Sequence, residues 1–195
     1  IAIEGRSYAG GWWDWLSPFS VTAGIALIIG YSLLGSTWLV MKSEGLMQRR
    51  AQTIAWISAL LLIVMIALFA VWTPIVEASY LERWVSWPAL VFVIPVPILA
   101  FVSWLNLLRG LNDHRDVRPF VSALTLFGLC FAVLAISFYP NLIPPDVSLW
   151  DAAAPDESLR FLLLGTVVLL PLILIYTGYA YRAFRGKVNP AEGYH

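Results

Sequence analysis

"QTIAWISALLLIVMIALFAVW", residues 52–72, is the stretch that decides the fold class of this chain. A helix needs roughly 20 mostly apolar residues to cross the hydrocarbon core of a bilayer. The stretch has no charged residue, and it lacks the period-2 alternation of a barrel strand. It therefore predicts a transmembrane helix, which satisfies its own backbone hydrogen bonds where lipid cannot.

Similar stretches lie on both sides of this one, and the composition agrees with them. Only 12% of the 195 residues are charged, whereas a soluble domain usually has about 25%. The polar surface is too small to cover a water-facing globule, so we predict an all-α polytopic membrane protein. Its five transmembrane helices are expected at 19–41, 52–72, 88–108, 120–139 and 159–181.

The links between the spans predict the orientation. Lysine and arginine are concentrated in residues 42–50, 109–118 and 182–188, whereas the links at 77–83 and 141–158 hold one arginine between them. Retained basic residues mark the cytoplasmic side of a membrane. We therefore expect a multi-pass protein of an inner (plasma) membrane. The beginning of the chain would lie on the outer side and its end on the cytoplasmic side.

A tryptophan-rich segment precedes the first span. It reads "GRSYAGGWWDWLSPFS", residues 5–20. Tryptophan favours the headgroup layer, so an aromatic belt is the main interpretation, and a quinol-stacking site is the alternative. Ser17 is expected to cap the following helix, with Pro18 in its first turn.

Residues that could perform redox or metal chemistry are scarce. Haem iron needs axial donors such as paired histidines. His114 falls in a link and His195 is the last residue, while Met65 and Cys130 are more typical of packing. Apart from Arg160, at the edge of the fifth span, the spans hold no Asp, Glu, Lys or Arg, which argues against a proton relay within this chain. We predict no catalytic, cofactor-binding or metal-binding residue.

Helix packing leaves weaker signals in the spans. Small residues four apart, as in Ala26/Gly30 and Ser32/Ser36, allow another helix to approach closely. Prolines are expected to bend the third and fifth spans, at Pro95, Pro97 and Pro171.

Several blocks carry a resemblance to a known family. They are residues 5–20, "YSLLGSTWLVMKSEG" (31–45), "FYPNLIPPDVSLWDAAAPDESLRFLLLG" (138–165) and "PLILIYTGYAYRAFRGKV" (171–188). In these blocks the chain resembles subunit II of the cytochrome bd-type quinol oxidases, including the cyanide-insensitive branch. The blocks keep their order along nearly the whole chain.

The resemblance implies a role in aerobic respiration. Such complexes oxidise quinol and reduce O₂ to water, with charge separation across the membrane. Haem b and haem d, or haem b only, are then expected in the partner, subunit I. This chain would be the haem-free subunit II, not itself catalytic, that scaffolds subunit I and shields it from lipid. Other expected partners are membrane lipid, the N-terminal half of subunit II and a small single-helix subunit, with no nucleic acid.

The resemblance also implies an organisation. The family's second subunit has two four-helix bundles joined by one further helix, and this chain resembles the later half. The expected parts are a periplasmic segment with an aromatic anchor (1–18), a joining helix (19–41), a four-helix bundle (52–182) formed by the last four spans and a cytoplasmic tail (183–195). Four residues match the family's Trp-Asp pairs and are expected to shape the outer face: Trp13, Asp14, Trp150 and Asp151.

Two other functions remain open from the sequence. A small-molecule transporter or channel would be favoured by broken or bent helices around a site at the middle of the membrane. An assembly factor would share the partner and would leave the mature complex. The lack of charge inside the spans disfavours ion or proton coupling.

Overall fold

Most of the described chain is helical, which agrees with the predicted all-α class. In the computed structural model of the protein, the described residues are 3–4, 7–8, 10–76, 78–87, 90–143, 147–183 and 186–187. The helices are α1 (Pro18–Lys42), α2 (Gly45–Val76), α3 (Ala78–Val85), α4 (Leu90–Val93), α5 (Pro95–Asn112), α6 (Arg118–Phe138) and α7 (Asp156–Ala183). Within these residues, α1, α2, α6 and α7 are long and apolar enough to cross a membrane.

Two short antiparallel hairpins accompany the helices. One pairs β1 (Ile3–Glu4) with β2 (Ser7–Tyr8), before α1. The other pairs β3 (Asn141–Ile143) with β4 (Val147–Ser148), in the link between α6 and α7. Both hairpins therefore lie in the segments that the sequence predicts to be periplasmic.

The first helix begins as the sequence predicts. Ser17 is its N-cap, and Pro18 stands in its first turn. Ser17 Oγ accepts a hydrogen bond from the Ser20 backbone N–H at 3.1 Å, and Ser20 Oγ accepts one from the Ser17 backbone N–H at 3.0 Å. This reciprocal capping box satisfies N–H groups that have no partner inside the helix. It fixes the start of α1 directly after the tryptophan-rich segment.

The third predicted span, 88–108, is not one continuous helix. The structure has the short α4 and then α5, which runs on to Asn112. Pro95 stands in the first turn of α5, and its missing N–H removes one helical hydrogen bond. Ile94, between the two helices, keeps helical dihedral angles (φ −72°, ψ −51°), so the helical path continues across the break. The prolines therefore interrupt this span rather than only bending it.

Four helices pack into one group, consisting of α1, α2, α5 and α6. α1 lies along α2, α5 lies along α6, and α1 also contacts α6. On α2, the side facing its neighbours carries alanines four residues apart, Ala51, Ala55 and Ala59, all buried. Such small side chains let helix backbones approach closely in a membrane. The buried core of this packed group is Leu33, Ala55, Ala59, Leu62, Leu107, Leu111, Ala123 and Leu126.

The predicted bundle of the last four spans is not confirmed, because the described contacts leave α7 outside the packed group. α7 has no buried residue along its whole length. Contacts near one end attach it: the Tyr181 ring lies 5.7 Å from the Trp38 ring, and Lys42 Nζ donates to the Gly186 carbonyl oxygen at 3.2 Å. The expected joining helix, α1, is instead a member of the packed group. Apolar residues are spread around most of each of these helices, so hydropathy alone could not tell which faces meet.

The two ends of the packed group differ in chemistry. At one end, Phe19 of α1 meets Phe69 and Trp72 of α2, with ring centroids 5.1 Å and 5.6 Å away. At the same end, Trp84 Nε1 donates to Ser137 Oγ at 2.9 Å, which ties α3 to α6. We call this the aromatic end. The opposite end carries the links 43–44 and 113–117 with their basic neighbours, and we call it the basic end.

Candidate functional site

Polar side chains meet at the basic end, where α2 begins and α5 passes into α6. Gln48 and Gln52 are four residues apart on α2 and therefore share one face. Gln48 Nε2 donates to Asp116 Oδ1 at 2.8 Å, and Gln52 Nε2 donates to the Leu111 carbonyl oxygen at 2.6 Å. Gln52 Nε2 also lies 3.0 Å from His114 Nδ1. The two glutamines thus fasten the α5–α6 link to the first turns of α2.

The segment after α7 joins the same site. Lys187 Nζ lies 2.9 Å from Asp116 Oδ2, so the carboxylate of Asp116 has a cation on one oxygen and an amide on the other. Lys42 Nζ, at the end of α1, donates to the Gly186 carbonyl oxygen and also lies 5.3 Å from the centre of the Trp38 ring. Residues from all three predicted cytoplasmic segments therefore meet at one end of the helices.

A tight turn holds the α5–α6 link in place. His114 has a φ of 50°, in the left-handed region, and the Arg115 N–H donates to the Gly110 carbonyl oxygen at 3.0 Å. Gly110 is buried close to Pro119, since a Cβ built on it would lie 3.1 Å from Pro119 Cδ. Arg118 donates to Asn106 Oδ1 at 2.9 Å, which joins α6 to α5. The turn presents His114 toward α2.

An open cleft results between α2 and this link. Its volume is about 360 Å³, and its walls are Arg49, Gln52, Thr53, Trp56, Leu111, Asn112 and His114. A second hollow of about 470 Å³ shares three of these residues and extends past Gln48 and Asp116 to Lys187. The two hollows form one polar groove, which we call the basic-end cleft.

Sequence reasoning missed this cleft. It treated the basic links as markers of orientation and considered His114 only as a haem ligand. The partners are far apart in the chain, 68 residues for Gln48 and Asp116 and 62 for Gln52 and His114. One signal in the sequence could have indicated it. Two glutamines stand four residues apart at the start of an apolar span, and an amide near lipid needs a hydrogen-bond partner.

The first predicted outer-face pair, Trp13 and Asp14, lies in a turn before α1. Asp14 Oδ2 accepts a hydrogen bond from the Gly11 backbone N–H at 2.9 Å, and the Asp14 N–H donates back to the Gly11 carbonyl oxygen at 3.3 Å. The Trp13 ring stacks on Trp15 at 6.4 Å and is 73% exposed. The aspartate therefore closes the turn, while the two tryptophans remain exposed.

The second pair, Trp150 and Asp151, lies in the turn after β4. Ser148 Oγ donates to Asp151 Oδ2 at 2.5 Å and accepts from the Asp151 backbone N–H at 3.1 Å. Trp150 packs edge-on against Tyr139, with centroids 6.3 Å apart. Each Trp-Asp pair is thus built into its own turn. Their part in shaping an outer face stays a prediction.

Side chains suited to metals are dispersed over the described ranges. Within them, no three or more His, Cys, Asp and Glu residues form a group that could hold a metal ion. His114 is engaged by Gln52 through Nδ1, and Cys130 is exposed on α6.

These features define an α-helical integral membrane protein with a polar cleft at one end. The chain belongs to the cytochrome bd terminal oxidase subunit II family, which it matches over residues 1–184. It is similar to "Probable cytochrome oxidase subunit 2" of Haemophilus influenzae, 24% identical over 94% of this chain and 56% of the relative. It is also similar to "Cytochrome bd-I ubiquinol oxidase subunit 2" of Escherichia coli K12, 25% identical over 95% of this chain and 56% of the relative. The chain therefore spans about half the length of the curated relatives it matches.

Proposed function

We propose that this chain is the haem-free, membrane-embedded part of subunit II of a cytochrome bd-type quinol oxidase. Its role is to hold the haem-bearing subunit I and to shield one flank of it from lipid during aerobic respiration. The family match over residues 1–184 is the observation that carries this proposal. The whole complex would oxidise a quinol and reduce O₂ to water, while this chain supplies shape and apolar surface.

The proposed fold has five spans. α4 and α5 together form the third one, because the helical dihedral angles of Ile94 carry the helical path across the break before Pro95. The basic end is proposed to be cytoplasmic, since the lysines and arginines of the links gather there. The turns with Trp13/Asp14 and Trp150/Asp151 then belong to the periplasmic face of a bacterial inner membrane, where they help to shape the outer surface.

The donors among the described residues do not fit a haem. A bis-histidine site needs two imidazoles on facing helices. His114 is in the α5–α6 link, and its Nδ1 is engaged by Gln52. His195 lies outside the described residues. Haem b and haem d, or haem b only, are therefore assigned to the partner subunit, and no step of the redox chemistry is attributed to this chain.

The exposed surface of α7 supports a partner-dependent role. Leu162, Val167, Leu172 and Ile175 are each more than half exposed. An apolar helix with no buried residue is compatible with surrounding lipid. It lacks, however, the close packing that orients helices against each other. Helices of subunit I, of the N-terminal part of subunit II or of a small single-helix subunit would supply that packing.

The test is to purify the oxidase with an affinity tag on this chain. We expect the haem-bearing subunit to co-purify at equal stoichiometry and the Soret band to stay with that subunit when the two are separated. Stoichiometric haem on this chain, or a tagged chain that leaves the mature complex, would overturn the proposal.

A further inference from the structure

Within the described ranges, the basic-end cleft contains a cation without an ionic partner. Arg49 lines both hollows of the cleft. Among the residues that the structure describes, its guanidinium forms no ion pair, whereas Lys187 pairs with Asp116 and Arg118 with Asp113. A guanidinium presents several N–H donors in one plane and matches the oxygens of a phosphate. Arg49 is therefore available to an anion that enters the cleft.

The imidazole of His114 adds a second donor. Gln52 Nε2 can only donate, and it donates to the Leu111 carbonyl oxygen and toward His114 Nδ1. In the tautomer that suits this contact, His114 Nδ1 accepts and the proton of the neutral ring is on Nε2. His114 lines the cleft, and within the described part of the chain its Nε2–H has no hydrogen-bond partner. The contact with Gln52 thus favours the tautomer that can donate to a ligand.

The one carboxylate on the cleft wall does not oppose an anion at the Arg49 side. Asp116 lines the larger hollow only, where Lys187 at 2.9 Å and Gln48 at 2.8 Å engage its oxygens. The smaller hollow, with Arg49 and His114, has no acidic residue among its walls. An anion placed there meets positive and hydrogen-bond-donating groups.

From Arg49 toward the C-terminal end of α2, this face of the helix changes from polar to apolar within two turns. Thr53 and Trp56 follow Arg49 on the same face of the helix and also line the hollow. Trp56 lies roughly 10 Å along the axis from Arg49, at 1.5 Å per residue. Leu60, one turn further, is exposed. A charge, then an aromatic ring, then hydrocarbon is the order in which a phospholipid changes from headgroup to acyl chain.

We propose that the basic-end cleft binds the phosphate headgroup of an anionic phospholipid, with Arg49 and His114 as donors and Trp56 beside the upper acyl chain. Pockets of basic residues between helices at the cytoplasmic boundary suit such headgroups. A bound lipid would bridge α2 and the α5–α6 link, and so reinforce the contacts that Gln48 and Gln52 make.

The test uses native mass spectrometry on the protein with the subunits that accompany it from the membrane. Phosphatidylglycerol is titrated into wild type, Arg49→Gln and Arg50→Gln. Arg50 is the matched control, because it carries the same charge one residue along and does not line the cleft. We expect Arg49→Gln to weaken the tightest binding step by about tenfold or more, as loss of a charge-assisted hydrogen bond predicts, and Arg50→Gln to leave it unchanged. His114→Asn, which tolerates the positive φ, should weaken the same step.

The ligand source is decided by two further titrations. Phosphatidylcholine should bind more weakly than phosphatidylglycerol, because its choline adds a positive charge. Inorganic phosphate should compete only at much higher concentration, because it lacks acyl chains to contact Trp56. Equal losses in Arg49→Gln and Arg50→Gln, or no loss in either, would refute the proposal. Binding of inorganic phosphate that depends on Arg49, with no Arg49-dependent lipid binding, would refute the lipid as its occupant.

Discussion

The ring of Phe127 occupies the space beside Gly30. A Cβ built on Gly30 would lie 2.7 Å from Phe127 Cζ, closer than atoms in contact can stand. Gly30 is buried on α1, and Phe127 comes from α6. The two helices can therefore approach this closely only because residue 30 has no side chain.

Replacing Gly30 with alanine should separate α1 from α6. The added methyl forces Phe127 to shift, and overpacking of this kind costs about 1–3 kcal/mol of unfolding free energy. The measurement is thermal or denaturant unfolding in detergent micelles. Gly35→Ala on the same helix is the control, since nothing lies within 4 Å of a Cβ there. Phe127→Leu should partly rescue Gly30→Ala, and equal effects at positions 30 and 35 would contradict this account.

The indole of Trp104 connects α5 to α2. Its Nε1–H donates to the Ala59 carbonyl oxygen at 2.9 Å. Trp104→Phe keeps most of the ring and removes this bond, so we expect a loss of about 0.5–1.5 kcal/mol in the free energy of unfolding. Trp12→Phe, at a position 93% exposed, should have no measurable effect. An unchanged stability in Trp104→Phe would show that the bond between the helices is not stabilising.

The carboxylate of Asp116 connects the segment after α7 to the packed group. Asp116→Asn keeps an oxygen for Gln48 but removes the charge that attracts Lys187, 2.9 Å away. Because the pair is partly exposed, the free energy of unfolding should fall by about 1 kcal/mol or less. The distance between spin labels on α1 and on the end of α7 should nevertheless broaden. Asp113→Asn breaks a pair with Arg118 that does not involve α7 and should leave that distance unchanged.

The turn at Trp150 should depend on Asp151. Asp151→Ala removes the acceptor of the Ser148 hydroxyl, so backbone amides in residues 148–151 should exchange faster with solvent. The helices should keep their thermal stability, because the turn lies outside the packed group. Asp156→Ala, in the first turn of α7, is the control of equal charge. Exchange that rises equally in both variants would mean that Asp151 does not hold the turn.

The parts of the fold that follow from local chemistry were predictable. Residues 52–72 are apolar over a membrane thickness, and α2 contains all of them. Ser17 and Pro18 mark the start of α1, because a cap depends only on its neighbours. Successive spans cross the membrane in opposite directions. Every second link therefore lies at the same end, which is why the basic links are found together.

What depends on distant contacts was not predictable. In lipid, apolar faces do not drive helices together, so hydropathy could not show that α1 joins α2 and α6 while α7 remains exposed. The effect of Pro95 was expected as a bend, whereas the structure has a break, because whether a helix resumes depends on its surroundings. The basic-end cleft depends on contacts of Gln48 and Gln52 with residues more than 60 positions away in the chain, which the sequence does not show.

The isolation of α7 has a consequence for how this chain unfolds. Segments with few packed contacts open separately from the rest of a protein and form cooperative units of their own. Because α7 has no buried residue, melting of α1, α2, α5 and α6 should leave it largely unaffected, and a single transition temperature would describe those four helices alone. Its own ordering would be decided by the neighbouring molecules in the bilayer.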